Sequence, residues 1–440
     1  MKFYIKKLGC PKNDVDADYI AGELINAGHE PVDDPDMAEA VIVNTCGFIL
    51  PAKEESINAI LQFETSKLNG KLDKLIVTGC LSQRYQDDLI RELPQIDAVL
   101  GLGQHARLVD ILNNNLSSGD HNTTSSEHLK YIVGRHRRVA DTLPYAYLKI
   151  SDGCDRFCSY CAIPYIRGRF RSRPVEDIMA EAEMLVDRGK KELILVSQEG
   201  TAYGRDRGYG ENILTLLKRL ENIEKLEWIR LMYLHPESVT DELIDHMSAS
   251  KKVLGYFDIP LQHISNRILQ SINRPYTRRE VEKIINKIRA GSKENIIRTT
   301  FITGLPGETR EEFNELLEFV ENVKFDRLGA FGYSCEEGTA AADFKDQIPD
   351  ETIAERQDLL MSLQQEIAFK KNIALIGTRQ KVIIDRVTSK DKALGRTRGD
   401  CPDIDQMVYV TGENLAVGDI VDVRVNMAEG YDLLAEVADE

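Results

Sequence analysis

Over the first hundred residues, short apolar runs alternate with longer stretches of helical periodicity. The runs at 2–8, 40–44 and 72–78 read as strands, and 16–27 and 52–68 between them read as amphipathic helices. That alternation predicts a parallel α/β lobe. The stretch 113–126 is almost wholly polar and reads as an exposed linker. Six further strand-like runs come after it, at 146–150, 193–197, 228–233, 256–260, 298–302 and 327–331, with helical segments between them. In one of those segments Ile178, Ala182 and Leu185 recur at i, i+4 and i+7, and Gly189 ends the pattern. Six βα units predict a partial barrel, open on one side. Residues 349–374 read as one long helix. Beyond 375, Val- and Ile-rich runs at 381–387, 407–410, 420–425 and 433–437, separated by Gly turns, predict a small antiparallel β-barrel. The expected divisions are an N-terminal domain over 1–115, a linker over 116–135, a core over 136–372 and a last domain over 373–440.

Composition narrows the class. The 440 residues are 42% apolar and 29% charged, as in globular chains of several domains. Eight cysteines are too sparse for a disulfide scaffold. Neither a signal peptide after Met1 nor an apolar stretch of bilayer length is visible. These features predict a cytoplasmic, reducing setting away from membranes, where cysteines serve as metal ligands. The net charge is −16, and residues 375–440 carry 8 basic against 13 acidic side chains. An acidic chain disfavours naked RNA as substrate and suits a basic protein, leaving nucleic-acid contact incidental.

The chemistry is concentrated in Cys154, Cys158 and Cys161, a Cys-x3-Cys-x2-Cys triplet directly after the first predicted barrel strand. Three thiolates on one loop can hold three irons of a four-iron cubane, leaving the fourth open to a substrate-like molecule. A structural zinc site needs a fourth ligand, and no nearby His or Cys supplies one. Cys10, Cys46 and Cys80 each come directly after a strand-like run of the first lobe. Ligand sites of parallel sheets lie at those carboxyl ends, so this repeated placement predicts a second metal site, with three scattered buried thiols as the alternative. Gly304, Gly307 and Glu308 form a Gly-rich turn after another predicted strand, where backbone can approach a ligand closely. Gln198 and Glu199 end the second predicted strand and are candidates for binding an amino group, with a solvated loop as the alternative. Arg167, Arg169, Arg171 and Arg173 suit either carboxylate recognition or anchoring of the cysteine loop. Asp258, Gln262 and His263 are candidates for lining the site or for structural hydrogen bonding. Cys335 and Cys401 read as free thiols.

Together these residues resemble the methylthiotransferase branch of the radical S-adenosylmethionine superfamily, over nearly the whole chain. Cys154, Cys158 and Cys161 match the superfamily's cluster triplet. Cys10, Cys46 and Cys80 match the branch's second cluster, and the last domain resembles a TRAM domain. Segments 44–49, 331–339 and 401–405 resemble the type that modifies an aspartate of small-subunit ribosomal protein twelve. The competing readings are a tRNA adenosine methylthiotransferase of the same fold and a non-enzymatic iron–sulfur ribosome-binding factor. The resemblance implies two 4Fe-4S clusters and S-adenosylmethionine, with Gln198, Glu199, Gly304, Gly307 and Glu308 as cofactor-binding candidates. It implies no catalytic residue beyond the cluster ligands, and a reducing electron donor such as flavodoxin or ferredoxin. In the implied reaction a 5′-deoxyadenosyl radical takes hydrogen from the aspartate β-carbon, the N-terminal cluster carries the sulfur, and a second S-adenosylmethionine gives the methyl group. Three residues depart from the pattern: Cys335, Cys401, and Glu199 where the family more often has Asp.

Overall fold

The computed structural model describes residues 1–114, 136–139, 142–208 and 210–438. The expected linker over 116–135 lies outside the described residues.

The N-terminal lobe is a five-stranded sheet, all parallel, in the order Glu30–Pro31, Lys2–Lys7, Ala40–Thr45, Lys74–Gly79, Ala98–Val99. The two central strands, Ala40–Thr45 and Lys74–Gly79, are almost wholly buried because helices cover both faces. Helix Leu50–Leu68 packs Ala59, Ile60 and Phe63 on one face. Helix Pro11–Asn26 and helix His105–Leu112 pack Ile20, Leu24, Leu108 and Ile111 on the other.

The core is an arc of six parallel strands. Tyr145–Lys149, Glu192–Val196 and Trp228–Leu231 form one half, and Tyr256–Asp258, Ile296–Thr303 and Arg327–Gly332 the other. The halves join through main-chain bonds from Ile229 N to Lys252 O (2.8 Å), Leu254 N to Ile229 O (2.9 Å) and Leu234 N to Asp258 O (2.8 Å). The outer helices place their apolar stripes on this arc. Val175–Asp187 buries Ile178, Ala182 and Leu185, the stripe expected from sequence.

The long helix runs over Asp350–Leu375. It leads to a closed five-stranded barrel: Arg379–Ser389, Lys392–Thr397, Val408–Thr411, Asp432–Val437 and Ile420–Glu429. Four strands were expected. The additional one, Lys392–Thr397, has Gly395 and Arg396 where an apolar repeat would show. Gly395 is required there, since a Cβ would sit 2.4 Å from Ile383 O. One pairing, Val408–Thr411 with Asp432–Val437, is parallel, and the other four are antiparallel.

The loop after Lys392–Thr397 plugs the amino-terminal end of the arc. Cys401 is buried there among Tyr145, Ile194, Trp228 and Tyr256. Glu192, fully buried, takes Arg230 from its own arc (2.8 Å) and Arg396 from the barrel (2.8 Å). Such a triad is satisfied only as a set; removing one member strands buried charge at a cost of about 3–5 kcal/mol. With this end closed, the carboxyl-terminal mouth is the face left for chemistry.

Candidate active site

The N-terminal lobe sits across that mouth and is fastened on both sides. On the first-strand side, helix Pro11–Asn26 carries a buried polar network into the arc. Lys149 binds Asp16 (2.5 Å) and Asp152 (3.2 Å). Arg167 binds Asp152 (3.1 Å), Asp16 (3.2 Å) and Asn13 Oδ1 (2.6 Å). Arg137 pairs with Asp18 (2.9 Å) and Glu181 (2.9 Å), and Tyr19 donates to Glu181 (2.7 Å). On the last-strand side, Glu336 receives Arg84 (2.6 Å) and Lys53 (2.8 Å), and Leu50 N donates to Ser334 Oγ (3.3 Å).

Each N-terminal cysteine stands just past a strand. Cys46 follows Ala40–Thr45 directly, Cys80 opens the short helix Cys80–Arg84, and Cys10 is the residue before helix Pro11–Asn26. They are drawn together by tight backbone. Gly9, at φ +93°, leaves no room for a side chain, because a Cβ would lie 2.8 Å from Cys46 Cβ and 3.1 Å from its Sγ. Asn13 ties the group: it donates to Leu8 O (3.0 Å) and Thr45 O (2.9 Å), and its Oδ1 lies 3.8 Å from Cys80 Sγ. Ser56 donates to Cys46 O (2.9 Å) and accepts from Cys46 N (3.0 Å).

The second triad lies on the loop after Tyr145–Lys149. Its loop is closed at Gly153, at φ +77°, where a Cβ would meet Arg169 O at 2.2 Å. Arg156 and Glu199 make a forked pair at 2.9 Å, and Asn273 donates to Arg156 O (3.1 Å) and Phe157 O (3.0 Å). The two triads approach each other: Cys80 shares a small apolar cluster with Ala162, the neighbour of Cys161, and with Ile166.

Burial shapes the thiols. It pushes Cys80 up to about 12 and Cys154 up to about 11, and raises Cys46 and Cys161 as well. Buried cations stand beside them. Arg274 interacts with Cys158, and Arg167 with Cys80 and Cys10. Arg274 has no carboxylate partner among the described residues, so an anionic cluster on the triplet would complement it. The polar atoms of the Gln198 amide and the His235 ring are cut off from solvent and have no hydrogen-bond partner among the described residues. Both lie just past strands of the mouth, where a ligand with polar groups would satisfy them. The donor set therefore fits iron–sulfur and S-adenosylmethionine binding. Among the described residues no three Cys, His, Asp or Glu side chains gather tightly enough for one metal ion; in a cubane each thiolate takes its own iron.

The other expected residues have protein partners. Glu199, 2% exposed, clamps Arg156 of the cysteine loop. Glu308 turns back on its own loop, accepting from Gly304 N and Leu305 N (3.0 Å) and pairing with Arg356 (3.2 Å). Gly304, at φ +72°, gives room for Ile353, which a Cβ would meet at 2.4 Å. Gly307, also at positive φ, closes that turn by donating to Asp346 O (2.7 Å). Arg167 and Arg173 are buried in the lobe network, Arg171 bonds the carbonyls of Arg167 and Arg169 (both 3.1 Å), and Arg169 pairs with Asp155 (2.8 Å). The run is an anchor. Asp258 pairs with Arg298 (3.0 Å), and His263 Nδ1 accepts from Ser265 N (3.0 Å). Gln262 joins the last half of the arc through main-chain bonds with Thr300 and Ile302 (both 2.8 Å). Cys335 is exposed and Cys401 buried; neither is bonded to another cysteine. Sequence reasoning missed Lys12, Arg274 and Glu336. Each is an ordinary charged residue whose role comes from distant partners.

The arc, the cysteine loop at its mouth and the barrel define a radical S-adenosylmethionine enzyme with a TRAM module. Residues 148–320 match the radical SAM superfamily, 376–438 the TRAM domain, and 2–101 the uncharacterized protein family UPF0004. The chain is 43% identical to a ribosomal protein uS12 methylthiotransferase RimO from Desulfitobacterium hafniense, covering 99% of this chain and 98% of that one. It is 46% identical to the protein of that name from Desulforamulus reducens, covering 98% of each. The chain belongs to the RimO family of radical S-adenosylmethionine methylthiotransferases. Among solved structures it is similar to the radical S-adenosylmethionine methyltransferase TsrM from Kitasatospora setae, with a TM-score of 0.57 at 14% identity, covering 75% of this chain and 74% of that one. That likeness concerns the fold alone. The family's cofactors, S-adenosylmethionine and a 4Fe-4S cluster, are those of this enzyme. No described helix is long and apolar enough to cross a membrane.

Proposed function

We propose that this enzyme methylthiolates the β-carbon of an aspartate in ribosomal protein uS12; its relatives are named ribosomal protein uS12 methylthiotransferases. Cys154, Cys158 and Cys161 hold one 4Fe-4S cluster, and Cys10, Cys46 and Cys80 hold a second. When bound, these clusters and S-adenosylmethionine supply the radical, the sulfur and the methyl group. The protein's share is placement. Glu199, Arg156 and Asn273 fix the triplet loop, and Gln198 and His235 offer unpartnered polar atoms to S-adenosylmethionine. Asn13 and Arg167 tie the N-terminal triad to the arc. The lobe covering the mouth keeps water from the reacting carbon. The domains act as units near 1–115, 136–372 and 373–440. The enzyme works in the cytoplasm, reduced by a flavodoxin or ferredoxin.

The observation that supports this reading best is the apolar cluster that Cys80 shares with Ala162, the neighbour of Cys161, and with Ile166. The acidic last domain, 8 basic against 13 acidic side chains over 375–440, suits a basic protein substrate. The test is the mass of uS12 from cells lacking this chain. The methylthio increment is lost there, returns with the wild-type gene, and stays absent with Cys158→Ala. An increment that persists without the chain refutes the reading.

A further inference from the structure

Lys12 lies two residues past Cys10, in the first turn of helix Pro11–Asn26, and is 7% exposed. Its ammonium reaches across the lobe boundary. Nζ donates to Ser197 O (3.2 Å), just past strand Glu192–Val196, and lies 3.6 Å from the centre of the Tyr233 ring, just past Trp228–Leu231. Among the described residues Lys12 has no carboxylate partner. The nearby acids are taken: Asp16 and Asp152 by Lys149 and Arg167, and Asp258 by Arg298. An ammonium has three donors, and here one is used and one face rests on an aromatic ring. Against the cost of burial, Tyr233 and Cys10 favour its charged form, and no carboxylate among the described residues takes up its remaining donor capacity.

Tyr233 is held for this contact. Its φ is +61°, an outlier for a bulky side chain. The conformation is fixed by Tyr233 N donating to Asp258 Oδ2 (3.0 Å) and Gly200 N donating to Tyr233 O (2.8 Å). The N-terminal triad does not need Lys12 for charge balance alone, since Arg167 already faces Cys80 and Cys10.

We propose that Lys12, seated on Tyr233, binds the side-chain carboxylate of the target aspartate and so selects aspartate over asparagine. This rests on the uS12 reading above. A carboxylate oxygen at hydrogen-bond distance from Nζ puts the aspartate β-carbon about 4 Å from the ammonium, beside the N-terminal triad at the mouth of the arc.

The test uses the reconstituted holoenzyme with two synthetic peptides spanning the uS12 target, one with the aspartate and one with asparagine in its place. The wild type favours the aspartate peptide in kcat/KM by roughly 10- to 100-fold, the range of one charge-assisted hydrogen bond. Lys12→Gln retains a donor for Ser197 O and loses the charge; its preference falls to within about threefold, less than one such bond supplies. Lys12→Arg keeps most of the preference. A Lys12→Gln enzyme that loses activity on both peptides equally overturns the proposal and leaves Lys12 as a tie between lobes. If Lys12→Gln does not assemble its clusters, competition binding of the two peptides to the wild type decides, and equal affinities overturn the proposal. A wild type that modifies neither peptide refutes the uS12 reading itself, and this assignment falls with it.

Discussion

Glu336 is the fastening of the N-terminal lobe to the last strand of the arc, and removing it opens that side. Its carboxylate is 2% exposed and faces Arg84 and Lys53, which are 10% and 18% exposed. A charge-assisted hydrogen bond contributes about 1.5–3 kcal/mol, and Glu336→Ala loses two while leaving two cations short of a partner. The nearly complete burial of the acid keeps solvent from replacing it. The lobe contact therefore weakens by about 3–5 kcal/mol, and by about 2 kcal/mol in Glu336→Gln, which keeps one acceptor. Hydrogen exchange read by mass spectrometry is the assay, comparing peptides from Leu50–Leu68 with peptides from Tyr145–Lys149. Protection in the first falls roughly 100-fold in Glu336→Ala, the equivalent of about 3 kcal/mol. Protection in the second does not change, because the polar network around Arg137, Lys149 and Arg167 holds that side. Unchanged exchange in Leu50–Leu68, or an equal loss in both, refutes the reasoning.

Gly153→Ala forces a Cβ to within 2.2 Å of Arg169 O at a φ of +77°, so the cysteine loop must shift; reconstituted iron falls from about eight to about four per chain with the fold retained, and a variant holding about eight shows the turn to be tolerant. Burial keeps His235, His105 and His263 neutral, lowering them to about 2, 4 and 4 from an ordinary 6.5. The unfolded chain then binds more protons than the folded one below pH 6.5, so stability is lost as pH falls. Between pH 6.5 and 5 the slope approaches about 4 kcal/mol per unit if all three contribute fully. Urea midpoints of the apo-protein at pH 7.5 and 5.5 check the sign, and equal midpoints contradict it.

Much of the fold was legible in the sequence because the core strands are apolar runs buried on both faces. The run 193–197 reads as a strand in any context, and the observed Glu192–Val196 is shifted by one residue at each end. The cysteines were legible for the same reason, since a parallel sheet gathers at one edge the residues just past its strand ends. Cys10 is the exception in detail, belonging to a helix start more than to a strand end. Lys392–Thr397 was hidden because its inward positions are small or charged, and Arg396 is buried by Glu192, far away in sequence, and by Asp385 on the neighbouring strand. The same holds for Glu199 and Glu308. Their spacing marked a rim, but only the fold shows that Arg156 and the Gly304 turn take up their carboxylates. Lys12 carried no signal at all, because an ammonium gains its meaning from Ser197 and Tyr233 in the other lobe.

Iron analysis of the anaerobically reconstituted protein, with cysteine variants of each lobe, tests the central claim of two facing clusters most directly. The account predicts about eight irons in the wild type, about four in Cys46→Ala and about four in Cys158→Ala, with the remaining cluster intact in each. A wild type that never exceeds about four, or a Cys46→Ala variant that keeps the wild-type content, contradicts it.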